Sequence, residues 1–184
     1  MLRIAINGYG RIGRALLRAL FERGLERVLH IEAINDLGDH ATLAHLTRFD
    51  STFGRLEGHL DLHDDIPQAR GQSIRLLRQA EIDKLPWSQL GVDVVLECSG
   101  QLRQRAQVEQ HLTAGAPRVI VSYPMDDADS TVVHGINQHG LGDEKIVSTG
   151  PSTSHCLAPL ALALHASVGI HSGLMTTIRS YTNM

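Results

Sequence analysis

Ile6-Asn7-Gly8-Tyr9-Gly10-Arg11-Ile12-Gly13 is the stretch whose reading decides the fold. Ahead of it, Leu2-Arg3-Ile4-Ala5-Ile6 is short and apolar, as a buried parallel strand is. Behind it, Ile12, Ala15, Leu16, Ala19 and Leu20 recur at helical spacing and predict a helix with one apolar face. Gly24 stands where that helix would end on a C-terminal glycine. The order is strand, G-x-G-x-x-G, helix. Gly8 permits the tight turn, Gly10 lets the backbone approach a pyrophosphate, and Gly13 lets helix and strand pack closely. The helix start adds unpaired N–H groups and the positive end of its dipole.

A second apolar run, Val28 to Ile34, ends in Asn35-Asp36. Asp36 lies roughly 20 residues past the loop, where a carboxylate accepts hydrogen bonds from adenosine ribose hydroxyls. The same negative charge would repel a ribose phosphate, so the pattern predicts NAD over NADP. Strand, loop, helix and acid together set this apart from a strand-turn-helix that binds nothing.

The 184 residues suffice for one sizeable core, one domain and a short extension. Hydrophobic content of 42% and charged content of 20% are those of an ordinary globular protein. A net charge of −3 argues against nucleic-acid and anionic-membrane partners. The N-terminus reads as a strand and not as a signal peptide, and no apolar run approaches a membrane span. Two well-separated cysteines make no disulfide framework, so the expected location is the reducing cytoplasm.

Further along, a helix is expected after Asp36, holding Leu43, Ala44 and Leu46, and then a loop over Arg48–Arg55. Leu60 and Leu62 alternate with His59, Asp61 and His63 as in a half-exposed strand. Strands are expected at Ser73–Leu77, within Gly91–Gly100, at Arg118–Ser122 and at Lys145–Ser148, with a helix over Arg103–Ala114. This alternation predicts an α/β fold, a Rossmann-type doubly wound parallel sheet. Ligands of such sheets bind at the carboxyl ends of the strands, here Gly8–Gly13, Asp36, Ser99-Gly100 and Ser122-Tyr123-Pro124. His59, Asp61 and His63 share a strand face, but no further convergent ligand is evident and the row reads as solvated surface without a metal. Cys98 reads as a core residue.

Longer stretches carry a family resemblance: Ile6–Arg14, Ala33–Asp36, Phe49–Arg55, Leu85-Pro86-Trp87, Gly91–Gly100, Arg118–Ser122, Cys156–Leu160 and Gly173–Ile178. From end to end the chain resembles the N-terminal half of phosphorylating glyceraldehyde-3-phosphate dehydrogenase and of its relative erythrose-4-phosphate dehydrogenase. Leu85–Leu90 and Ser130–Gln138 lean towards the second branch. The resemblance implies NAD as cofactor, with Asn7, Gly8, Gly10, Arg11, Ile12 and Gly13 at the pyrophosphate. It places Asp36 at the adenine ribose, with Ser99, Gly100, Ser122 and Tyr123 flanking the riboses. An arginine usual in the family is replaced by Ala80.

The catalytic motif departs from the family. Where the family reads Ser-Asn-Ala-Ser-Cys-Thr-Thr-Asn-Cys, this chain reads Ser148-Thr149-Gly150-Pro151-Ser152-Thr153-Ser154-His155-Cys156. Ser152 replaces the nucleophilic cysteine, within a substrate segment of Pro151, Ser152 and Thr153. Arg179 replaces the general-base histidine. A thiolate attacks an aldehyde readily once its pKa is lowered, whereas a serine hydroxyl needs a strong base and a guanidinium stays protonated. Cys156, about one helical turn beyond Ser152, is expected to point elsewhere. Ser152 with His155 lacks the orienting acid of a hydrolase triad, and Pro151 reads as a helix-start proline.

The resemblance divides the chain into an NAD-binding domain, 1–150, and a helix with an orphan strand, 151–184. Ser172–Thr182 is expected as the first strand of an antiparallel catalytic sheet whose remainder, in the family, follows. Three functional readings result. The first is an NAD-binding domain of an aldose-phosphate dehydrogenase with impaired chemistry. The second is an enzyme acting on a sugar-phosphate aldehyde and completed by a partner chain. The third is an interaction module that pairs as a homo-oligomer or with a full-length relative.

Overall fold

The computed structural model describes residues 1–56, 60–61, 68–69 and 72–178, with backbone alone at 60–61 and 68–69. Its main sheet has seven strands: β1 (Leu2–Asn7), β2 (Leu29–Asn35), β3 (Arg75–Leu77), β4 (Val94–Glu97), β5 (Arg118–Val121), β6 (Ser130–Thr131) and β7 (Ile146–Ser148). They lie in the order β6-β7-β5-β4-β1-β2-β3, and every pairing is parallel. The helices are α1 (Arg11–Glu22), α2 (His40–Arg48), α3 (Trp87–Leu90), α4 (Arg105–Thr113) and α5 (Ser152–Val168). From β1 the chain builds β2 and β3 to one side, then crosses to β4 and β5 on the other. The order therefore reverses between β1 and β4, the place where doubly wound sheets open a ligand crevice.

Both faces of the sheet are covered, which is why its strands read as nearly continuous apolar runs. With period two, Ile4 and Ile6 meet Leu17, Leu20 and Phe21 of α1 and Leu43 and Ala44 of α2 on one face. Ala5 meets the opposite layer with Trp87, Leu90 and Val108. Gly24 has a left-handed backbone and donates its N–H to the Phe21 carbonyl, closing α1 as expected.

The buried stripe of α1 is not the one that spacing suggested. Gly13, Leu17, Arg18, Leu20 and Phe21 are buried, while Ile12 and Leu16 are exposed and line an open groove with Phe53. α1 is amphipathic, with Arg11, Arg14, Arg18 and Glu22 along one stripe, but the buried face is rotated towards that stripe and takes in Arg18. The close contact at Gly13 decides this rotation: a Cβ there would stand 2.4 Å from the Gly8 carbonyl oxygen. Leu46 of α2 is likewise exposed.

The loop read over Arg48–Arg55 contains a short antiparallel pair, Phe49–Asp50 with Gly54–Arg55. Arg18 holds it in place. This 3%-exposed side chain donates to the carbonyls of Thr47 at 3.2 Å, Gly54 at 3.1 Å and Phe53 at 3.1 Å. The single strand expected over Ser73–Leu77 is divided: Gln72–Ser73 joins a small antiparallel sheet with Gln68–Ala69 and Leu60–Asp61, and after Ile74 the chain enters the main sheet as β3. His59, Leu62 and His63 lie outside the described residues, and Asp61 is described by its backbone only. α3 and β6, too short for any periodicity, were not expected.

None of the residues of α5 is buried. Residues 172–178 have no strand structure, because a strand exists only where a neighbour satisfies its N–H and C=O groups. The rest of that expected strand, with Arg179, lies outside the described residues.

Arg18→Ala strips three carbonyls of a buried charged donor. The expected loss of unfolding free energy is about 2–4 kcal/mol, with faster proteolysis within 49–55. Urea unfolding checks this; a loss under about 1 kcal/mol would mean that water replaces the guanidinium.

Candidate dinucleotide site

The three glycines of the loop have separate tasks. Gly8 has φ +85°, and a Cβ on it would stand 2.3 Å from the Ser99 nitrogen, so the β1 and β4 exits touch there without room for a side chain. Gly13 lets α1 settle on the loop. A Cβ on Gly10 would meet nothing within 4 Å. Gly10 is also the N-cap of α1, no side chain caps it, and the first helical bond runs from the Arg14 N–H to the Gly10 carbonyl. The N–H groups of Arg11, Ile12 and Gly13 therefore lack an intrahelical acceptor at the positive end of a twelve-residue helix. The open space at Gly10 lies before a surface of donors and fits an anionic ligand.

Asp36 closes the next side. Its Oδ2 accepts the Tyr9 N–H at 2.7 Å and its Oδ1 accepts the Gly38 N–H at 2.7 Å, which ties the acid to the glycine loop. A carboxylate offers about four lone-pair directions, so acceptors remain for ribose hydroxyls. Between this acid and the β4 exit lies a cleft of about 150 Å³, lined among others by Asn7, Gly8, Asp36, Leu37, Ala80 and Ser99. The small Ala80 side chain leaves the wall open where the family resemblance implied an arginine.

Asn7, Gly8, Asp36 and Ser99 are thus brought together at the cleft, with Gly10, Arg11, Ile12 and Gly13 beside it and Gly100 next in chain. Ser122 and Tyr123 follow β5, one strand further along the same edge, and do not line the cleft. The Ser122 N–H donates to the Glu97 carbonyl at 3.0 Å, and the Tyr123 carbonyl accepts the Ser148 hydroxyl at 2.9 Å. The Tyr123 ring lies 5.9 Å from the Arg103 guanidinium carbon. Burial pushes its hydroxyl above the ordinary phenol range, the Glu97 charge adds to this, and Arg103 opposes it.

Sequence reasoning assigned no role to Asn35, Gln79 or Glu97. The Asn7 Nδ2 donates to Glu97 Oε2 at 2.6 Å, the Asn35 Nδ2 donates to Asn7 Oδ1 at 2.8 Å, and the Gln79 N–H donates to Asn35 Oδ1 at 2.9 Å. Ser99 gives both its N–H and its hydroxyl to Glu97 Oε1. Burial alone would raise the Glu97 pKa; donors from His111, Ser99 and Asn7 outweigh it and hold the carboxyl below its ordinary range. The available signal was a polar residue ending each of three apolar strands.

Pro151, Ser152 and Thr153 open α5. Pro151 is the N-cap and Ser152 the first helical residue, so the proline stands just before the helix, as expected. Ser152 is exposed and Thr153 half-buried. The His155 Nε2 bonds the Thr149 carbonyl at 2.6 Å, and no hydrogen bond joins it to Ser152 among the described residues. Cys156 does not point elsewhere: four residues on, it shares the helix face of Ser152, displaced by about 6 Å along the axis. Cys98 is half-buried and packs against the α1 side of the core. Burial, opposed by a bond from Ser122, pushes its thiol up to about 12. Among the described residues no three His, Cys, Asp or Glu side chains are grouped to hold a metal, and no helix is long and apolar enough to cross a membrane.

Comparison with known proteins gives two family matches. A model described as glyceraldehyde 3-phosphate dehydrogenase, NAD binding domain, matches residues 2–105. One described as glyceraldehyde 3-phosphate dehydrogenase, C-terminal domain, matches residues 152–184. The chain is 46% identical over 185 residues to the plasmid glyceraldehyde-3-phosphate dehydrogenase of Cupriavidus necator, covering 99% of this chain and 55% of the relative. It is 45% identical over 183 residues to the Pseudomonas aeruginosa enzyme, covering 99% and 55%. To that of Clostridium pasteurianum it is 43% identical over 185 residues, covering 100% and 54%. The chain spans about half the length of the curated relatives it matches.

The two thiols differ in accessibility and should differ in rate. With a pKa raised to about 12, half-buried Cys98 is about one part in 10⁴ thiolate at pH 8 and is expected to react slowly. Exposed Cys156 is expected to account for the whole fast phase with a thiol-reactive dye. Mass mapping that finds Cys98 labelled in that phase would contradict this environment.

Proposed function

Because the chain belongs to the glyceraldehyde 3-phosphate dehydrogenase family, we propose that residues 1–150 bind NAD and that the aldehyde chemistry of the family is impaired here. The matching model is that family's NAD-binding domain. The observation that carries the binding reading is the open space at Gly10 before the uncapped start of α1, with Asp36 tied beside it. The pyrophosphate would lie against the N–H groups of Arg11, Ile12 and Gly13, with Asn7 and Gly8 behind it. Asp36 would take the adenine ribose, and Ser99, Gly100, Ser122 and Tyr123 the neighbouring positions along the sheet edge. Bound NAD supplies a hydride acceptor.

The chain's own groups supply little of the remaining chemistry. Ser152 stands in the segment Pro151–Thr153, where the aldehyde of glyceraldehyde 3-phosphate or erythrose 4-phosphate would meet a nucleophile. Its hydroxyl must lose a proton as the new bond to carbon forms. His155 gives its Nε2–H to the Thr149 carbonyl and makes no hydrogen bond to Ser152 among the described residues, and a guanidinium at Arg179 cannot accept that proton. Loss of general-base assistance alone removes about two to four orders of magnitude in rate.

α5 favours a second reading. None of its residues is buried, and Leu157, Leu160, Leu162 and Leu164 are 40–57% exposed. A second polypeptide over this helix, either another copy or a longer relative, would make 151–184 part of a completed dehydrogenase or of a non-catalytic assembly.

Calorimetric titration of the purified chain tests the first reading. Saturable heat is expected with NAD and less with NADP, with affinity for NAD falling about tenfold or more in Asp36→Ala. NADH formation from either sugar phosphate is expected to stay at the blank rate. No saturable heat from folded protein would overturn the binding reading; rapid NADH would overturn the impairment.

A further inference from the structure

A single line of hydrogen bonds crosses the carboxyl edge of the sheet and ends in the core beneath α4. Asn7, Asn35 and Glu97 are the last residues of β1, β2 and β4, and the register places Asn7 opposite both others. From Asn35 the line passes through Asn7 to Glu97 Oε2. It continues from Glu97 to His111 Nε2 at 3.0 Å, and from His111 Nδ1 to Trp87 Nε1 at 3.0 Å. Trp87, His111 and Glu97 have no exposed surface, and Asn7 and Asn35 are 6% and 5% exposed.

The direction of every bond follows from its two ends. An indole N–H can only donate, so His111 Nδ1 accepts, the ring is neutral, and its hydrogen sits on Nε2. His111 then donates to Glu97, which takes further hydrogens from Asn7 and from both Ser99 donors. A carboxylate accepting from every neighbour has no proton to offer. Asn7 must therefore turn Nδ2 towards Glu97 and Oδ1 towards Asn35. Asn35 must in turn present Nδ2 to Asn7, which leaves its Oδ1 for the Gln79 N–H. One buried charge fixes the orientation of two amides, the hydroxyl of Ser99 and the main chain at Gln79. Those four residues all line the cleft.

We propose that Glu97 is a positioning residue for dinucleotide binding. It touches no ligand, being wholly buried, and it acts by setting which atoms Asn7, Asn35, Gln79 and Ser99 turn towards the cleft. His111 and Trp87 act behind it, holding the imidazole neutral and in one tautomer. A purely structural ion pair would be satisfied by His111 and would have no consequence for the cleft. Here the other bonds to Glu97 come from Asn7 and Ser99, both at the cleft. This inference rests on the reading of the cleft as an NAD site.

The test uses the whole chain with NAD as the probe. Glu97→Gln is isosteric but brings an amide that can donate to Asn7 and reverse the line. Ile146→Val, a trim elsewhere in the same core, is the control for lost stability. By calorimetry Glu97→Gln is expected to bind NAD about tenfold or more weakly, while Ile146→Val stays within twofold of wild type. The chain has one tryptophan, so its indole N–H gives one resonance. Saturating NAD is expected to shift that resonance and the His111 ring nitrogens in wild type, with His111 in the Nε2–H form throughout. Wild type that binds no NAD overturns the cofactor reading and this inference with it. Wild type and Glu97→Gln binding NAD within twofold of each other overturn this inference alone. Where Glu97→Gln does not fold, the wild-type spectrum decides. Unmoved Trp87 and His111 signals at saturation, or an Nδ1–H or doubly protonated ring, overturn the inference.

Discussion

The contact between Gly8 and the backbone of Ser99 is the constraint on which the rest of the structure depends. Two parallel strands whose chains leave in opposite directions must pass within a distance that excludes a Cβ, and the left-handed turn at Gly8 makes that possible. From it follows the position of the Gly8 carbonyl, on which Gly13 rests, and from Gly13 the rotation of α1. That rotation turns Arg18 inward to the carbonyls of Thr47, Phe53 and Gly54 and leaves Ile12 and Leu16 outside. The cleft is what remains between the two exits once they touch.

Most of the fold was legible because its parallel strands are buried on both faces and appear as apolar runs punctuated by glycine and polar ends. Less could be read where the signal is shared or too short. The buried face of α1 takes in Arg18 from its charged stripe and leaves Ile12 and Leu16 outside, so periodicity announced a helix but gave the wrong stripe. β3 is three residues long and follows directly on a different sheet, so one strand was expected in place of two. At the site, Gly8, Gly10, Gly13 and Asp36 carry a spacing that physics makes meaningful. Asn35, Glu97 and His111 carry none, because residues 35, 97 and 111 meet only after the sheet has formed.

Ser152 stands on a well-defined local frame. The elements that place Ser152 are intact: β7 ends at Ser148, the Gly150 N–H bonds the Ser148 hydroxyl, and Pro151 caps α5. A helix N-terminus still stabilises negative charge at its first residue. A hydroxyl there still needs a partner to take its proton before it can use that field.

β1 has neighbours at very unequal distances along the chain. Tyr9 reaches Asp36 across 27 residues, but Asn7 reaches Glu97 across 90. Loop-closure entropy grows with separation, and contacts between distant residues form late. On a ribosome that releases the N-terminus first, the Asp36 side of the cleft is assembled while the Ser99 side is still being made. During that interval β1 carries an open edge of unpaired backbone groups, flanked by Ile4 and Ile6. The nascent chain, with half a sheet and no β4, is therefore the form most exposed to aggregation. Its arrival at residues 94–99 is the moment at which the sheet edge and the ligand cleft are closed together.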